Sequence, residues 1–106
     1  MIRRHVVLSP DAQADLVGLF DWITGQASPE VALDYVARLE AYVMGFEVAS
    51  ERGTRHDYIR AGLRTTGFER RLTIAFEVTS DRVTILGFFP GGRDWTTILG
   101  DADKAG

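Results

Sequence analysis

Eleven of the twelve basic residues in this chain of 106 are arginine, and eight of those arginines fall between Arg52 and Arg93. A guanidinium is a planar fork of donors, suited to two-pronged contact with a carboxylate or a phosphate. Four acids share that segment, so residues 52–93 carry +4, whereas residues 1–51 hold three basic against eight acidic side chains and carry -5. Arg64 precedes, and Arg70 and Arg71 follow, a Gly67-centred turn that leads into Leu72-Thr73-Ile74-Ala75-Phe76-Glu77-Val78. That run alternates apolar and polar, as a strand with one buried face requires. It is expected to be the middle strand of a small sheet, with these guanidinium groups converging near one face as a candidate working surface. The plainer reading of the same residues is a solvated, ion-paired sheet surface.

Other chemistry has little material. There are no cysteines, which excludes disulfides and thiolate metal sites, and two histidines, His5 and His56, cannot by themselves build a metal centre. No cofactor is expected. His56 and Glu69 remain as acid/base groups, although His56 falls in the polar run Ser50–Asp57 and is expected to be exposed. No apolar run approaches the roughly 18 residues of a membrane span and no signal-peptide core is present, so the expectation is a cytoplasmic protein without membrane contact.

The elements that must position these groups are legible in order. Arg3–Leu8 reads as a first strand. Ser9-Pro10-Asp11 and Ser28-Pro29-Glu30 each combine an N-cap serine, a proline at the first helical position and an acid at the positive end of the helix dipole. Ala12, Leu16, Leu19, Phe20 and Ile23 make one helical stripe, which Gly25 is expected to end. Ala32, Val36, Leu39, Val43 and Phe46 make a second. The short link forces a helical hairpin, with Asp15, Asp21, Asp34 and Glu40 expected to face outward. Trp22, Tyr35 and Tyr42 lie beside the stripes. Such aromatics are more often stripe-edge packing, but exposed ones suit a partner helix.

Three further strands are expected near Tyr58–Thr66, Arg71–Val78 and Arg82–Phe89, joined by turns tight enough to enforce antiparallel pairing. The fold class is therefore α+β: an N-terminal strand and a helical hairpin packed on a small antiparallel sheet. The expected core is Leu16, Leu19, Ile23, Val36, Leu39, Ile74 and Phe76. Residues 1–100 are expected to form one domain, and the small, polar stretch Asp101–Gly106 a frayed tail.

The order strand, helix, helix, strand, strand, strand, with Gly62-Leu63-Arg64 opening the sheet and Gly91-Gly92-Arg93-Asp94-Trp95 closing it, resembles the RelE/ParE superfamily of toxins from type II toxin–antitoxin systems. The likeness spans roughly residues 5–95. It is nearer the ParE branch, through Gly62-Leu63-Arg64, Arg70-Arg71-Leu72-Thr73-Ile74-Ala75-Phe76, and Ile85-Leu86-Gly87-Phe88-Phe89 with Arg93-Asp94.

The resemblance implies a growth-inhibiting toxin kept silent by a cognate antitoxin encoded beside it. ParE-like members are regarded as non-catalytic inhibitors of DNA gyrase; RelE-like members cleave ribosome-bound mRNA and need lysines, arginines and a C-terminal tyrosine or histidine. Here the only lysine is Lys104, and Trp95 stands where a proton-transferring residue would be needed. A gyrase-binding toxin without catalytic residues is therefore the leading expectation; a RelE-like endonuclease acting through Arg64, Arg71 and Arg93, and an inactive antitoxin-binding relative, are the alternatives. The expected target-binding residues are Arg64, Arg70, Arg71, Arg93 and Trp95. The antitoxin is expected on Trp22, Tyr35, Tyr42 and Arg55.

Overall fold

The structure, a computed structural model, describes residues 3–91. In chain order it contains β1 (His5–Leu8), α1 (Pro10–Gln26), α2 (Pro29–Met44), a 3₁₀ turn (Gly45–Glu47), β2 (Thr54–Arg55), β3 (Leu63–Phe68), β4 (Leu72–Val78) and β5 (Arg82–Pro90). Arg93, Trp95, Lys104 and the 101–106 tail lie outside the described residues.

Both helices start as their sequences dictate. Ser9 Oγ accepts from the Ala12 N–H at 3.0 Å, and Ser28 Oγ accepts from the Val31 N–H at 3.1 Å. Each cap satisfies one of the orphan donors of a first turn. Helix α1 does not stop at Gly25; it runs to Gln26, and the Ala27 N–H still donates to Ile23 C=O. What ends it is the next start signal, because Pro29 holds Ser28 extended at φ -166° and ψ 162°.

The strands lie in the order β1-β5-β4-β3-β2, which places β4 at the centre as its alternation required. The four strands from β2 to β5 pair antiparallel, but β1 runs parallel to β5, so the sheet is mixed. The helical hairpin and three strands separate β1 from β5, ample chain for the crossover a parallel pair demands. β3 begins at Leu63, not near Tyr58, because residues 58–61 fold into turns on the His56 carbonyl. Thr54–Arg55, inside the expected loop, forms the short edge strand β2. Two residues carry no periodicity to read.

The helices cover one face of the sheet. Leu39, Val43 and Phe46 meet Leu72, Ile74, Phe76, Val83, Ile85 and Phe88 there, all of them buried. Of the expected core, Leu39, Ile74 and Phe76 are fully buried and Leu16 and Leu19 pack at the margin, while Ile23 and Val36 are only half-buried. The opposite face carries a smaller cluster of Leu63, Ala75 and Phe89, with Ile59 and Leu86 against it. A β-bulge explains how β5 serves both faces. Ala75 pairs with Gly87 but Phe76 pairs with Ile85, leaving Leu86 as the extra residue. The shift in alternation turns Phe88 to the helices and Phe89 to the other side.

Candidate functional site

Between the hairpin and the end of the sheet runs a groove. One part, about 500 Å³, is bounded by Ala14, Asp15 and Gly18 of α1; the adjoining part, about 580 Å³, reaches Tyr35 and Arg38 of α2 and Arg70 and Arg71 of the β3–β4 turn. Leu19, Trp22, Leu72, Pro90 and Gly91 line both. Trp22 is 62% exposed at this shared waist, although an indole of that size is normally well covered in a monomer.

The walls follow from local geometry. Tyr35 is half-buried and meets Phe68 edge-to-face with ring centroids 5.6 Å apart. Burial, and then the Glu69 carboxylate, push its phenol pKa up, so it stays neutral. Arg38 lies 5.4 Å above the Tyr35 ring and donates to Glu69 through Nε at 2.9 Å and Nη2 at 3.1 Å; it also pairs with Asp34. The hydrogen bonds from Arg38 hold the Glu69 carboxyl below its ordinary value.

That ion pair anchors a strained turn. Glu69 and Arg70 have φ of 50° and 60°, the left-handed region, and the Arg71 N–H donates to Phe68 C=O at 3.2 Å. Two consecutive left-handed residues match the twist of a tight hairpin, usually at Asn-Gly. Here neither residue is glycine. Such strain persists where the surroundings hold it, and Arg38 supplies the hold. The geometry projects Arg70 and Arg71 to the groove, and among the described residues neither forms a salt bridge.

Asp15, expected to face outward, turns inward. It falls between Ala12 and Leu19 on the buried stripe, and its Oδ2 accepts from the Phe88 N–H at 3.0 Å. Beyond Ile85, β5 has no β1 partner, so this amide needs an acceptor from elsewhere. Gly87 makes room for it, since a Cβ there would stand 3.1 Å from Asp15 Oδ2 and 2.9 Å from the Phe89 ring.

The arginines do not converge. Arg64, near the start of β3, lies about 20 Å of strand from Arg70. It is half-buried and donates to Arg52 C=O at 3.2 Å. Arg55 is its cross-strand partner and is paired with Asp57 at 2.7 Å. Arg52 is stacked on Tyr42 and Phe46 at 5.2 and 5.0 Å. Tyr42 thus packs beneath Arg52 and against Phe68, outside the groove that Trp22 and Tyr35 share. Arg55 stands at the far edge of the sheet.

His56 is buried, not exposed. Its Nε2 lies 2.9 Å from Thr65 Oγ1 and its Nδ1 lies 3.2 Å from the Tyr58 hydroxyl. Among the described residues no group of three or more His, Asp or Glu side chains could hold a metal, and no helix is long and apolar enough to cross a membrane. The groove residues that the sequence reading missed are Asp15, Arg38 and Glu69 as a structural pair. Asp15 was detectable by its place on the Ala12–Leu19 stripe; the Arg38–Glu69 contact spans 31 positions and left no local signal.

The family model for the ParE toxin of type II toxin–antitoxin systems, parDE, matches residues 6–95. The chain belongs to this family. A solved chain titled "Chromosomal ParDE TA system from P. aeruginosa" superposes with a TM-score of 0.72 at 26% identity, covering 83% of this chain and 96% of that one. No curated protein matches the sequence. As a ParE-type toxin, the chain has the α+β fold of its structural neighbour, with the helical hairpin on a mixed five-stranded sheet.

Proposed function

We propose that this ParE-type toxin inhibits growth by binding DNA gyrase without catalysing a reaction, and that an antitoxin segment neutralises it by lying in the groove between the hairpin and the sheet. Family membership over residues 6–95 carries the reading. The residue chemistry favours it over RNA cleavage, which needs a general acid and base placed at one phosphate. Glu69 is committed to Arg38 and is held ionised, a poor proton donor at neutral pH. His56 is buried against Thr65 about as far from the groove as Arg64 is.

The groove supports the antitoxin part. It is an apolar trough with an exposed indole, the form that receives an amphipathic helix. Arg70 and Arg71 stand at its rim, so a segment seated there covers two of the arginines offered to the target. Neutralisation then works by occlusion. A partner recorded with the neighbouring solved chain, a ParDE system, is in keeping with this arrangement.

Purified protein tested on gyrase-driven DNA supercoiling and on ribosome-bound mRNA separates the readings. Inhibition of supercoiling with intact mRNA is expected; mRNA cleavage with unaffected supercoiling would overturn the gyrase assignment.

A further inference from the structure

The groove is electrically two-ended. At one end Arg70 and Arg71 have no salt bridge among the described residues, while Arg38 beside them is neutralised by Asp34 and Glu69. At the other end the only charged lining residue is Asp15, set among Ala14, Gly18, Leu19 and Phe88. One of its oxygens is taken by the Phe88 N–H; the second has no partner among the described residues, and Asp15 forms no salt bridge. A half-buried carboxylate with an unspent oxygen beside apolar surface favours a cation. Space is available, because nothing lies within 4 Å of where a Gly18 Cβ would be. The exposed Trp22 ring flanks the same pocket and offers its face to a positive charge.

We infer that the pocket at Ala14, Asp15 and Gly18 is a subsite for one arginine or lysine of the antitoxin segment, and that carboxylates of the same segment lie over Arg70 and Arg71. This rests on the groove being the antitoxin site and adds the chemistry that sets direction. An amphipathic helix whose basic residue and acidic residues lie at opposite ends fits one way round only. Reversed, it places like charges together at both ends, which is the repulsive half of specificity.

The test is binding of the antitoxin encoded beside the toxin to wild-type toxin, Asp15→Asn, Asp15→Lys and Trp22→Ala. Asparagine keeps an oxygen for the Phe88 N–H, so the fold should be unchanged by circular dichroism and thermal midpoint. Losing the charge should raise Kd about ten- to a hundredfold. Asp15→Lys should weaken binding more, and reversing a single basic residue of the antitoxin to glutamate should restore it. Unchanged affinity for Asp15→Asn with weakened binding for Trp22→Ala would overturn the subsite and leave the groove standing. Unchanged affinity for both variants would overturn the groove reading itself. Failure of every single reversal to rescue Asp15→Lys would likewise overturn the subsite.

Discussion

Arg38 of α2 grips Glu69 of the β3–β4 turn with two N–H donors, at 2.9 and 3.1 Å, and so fastens the hairpin to the turn that carries Arg70 and Arg71. The contact depends on protonation. Glu69 ionises more readily in the folded chain, chiefly through those hydrogen bonds. Its stabilisation is therefore complete above the ordinary carboxyl value of 4.5 and is lost as pH falls through the depressed one. Asp57, held low by the Gly62 N–H and then by Arg55, adds to the same acid limb. Glu69→Gln should lower the denaturation midpoint at neutral pH and converge on wild type at about pH 3, a crossing that midpoints measured over the acid range will show or refute.

The core should behave as one unit across the helix–sheet interface. Leu39 is fully buried at its centre, so Leu39→Ala should cost about 2–5 kcal/mol, a large share of a typical domain stability of about 5–15 kcal/mol. Equilibrium urea unfolding reads this directly. An unchanged midpoint would place Leu39 outside the core.

Gly62 delivers the chain into β3 at φ 80°, with its notional Cβ 2.6 Å from Val78 C=O. The backbone strain alone in Gly62→Ala should cost about 1–3 kcal/mol, with the contact adding to it. Thermal denaturation showing a midpoint at or above wild type would mean that this turn relaxes freely.

These residues also mark what a sequence can reveal. The helix starts, the stripe through Leu39 and the alternation of β4 are local patterns, written by caps and periodicity, and they hold in the structure. The parallel pairing of β1 is not local; nothing in His5–Leu8 states which strand it will join or in which direction. The bulge at Leu86 is likewise set by the packing of Phe88 and Phe89 on opposite faces. Arginine count suggested one surface, yet strand length separates Arg64 from Arg70 and Arg71. Trp22 and Tyr35 were found as partner-facing aromatics because they sit off their stripes, whereas Tyr42 sits equally off its stripe and is covered by Arg52. Sequence position cannot tell those two outcomes apart.

Charge should show in rates more than in lifetime for the toxin–antitoxin pair. Exposed charges are screened over about 8 Å at physiological salt, while apolar burial in the groove is not. Raising salt should slow association more than it speeds dissociation, and Trp22→Ala should mainly speed dissociation. Stopped-flow mixing at low and high salt measures both; an association rate indifferent to salt would remove Arg70 and Arg71 from the encounter.

The most direct measurement is inhibition of gyrase supercoiling by wild type, Arg70→Ala/Arg71→Ala and Arg64→Ala, each with and without the antitoxin. Wild type should inhibit, antitoxin should abolish that inhibition, and the paired alanine variant should inhibit more weakly while still folding. Supercoiling untouched by the wild-type protein, or inhibition that persists with the groove occupied, would contradict the proposal that this toxin acts on gyrase through a surface its antitoxin covers.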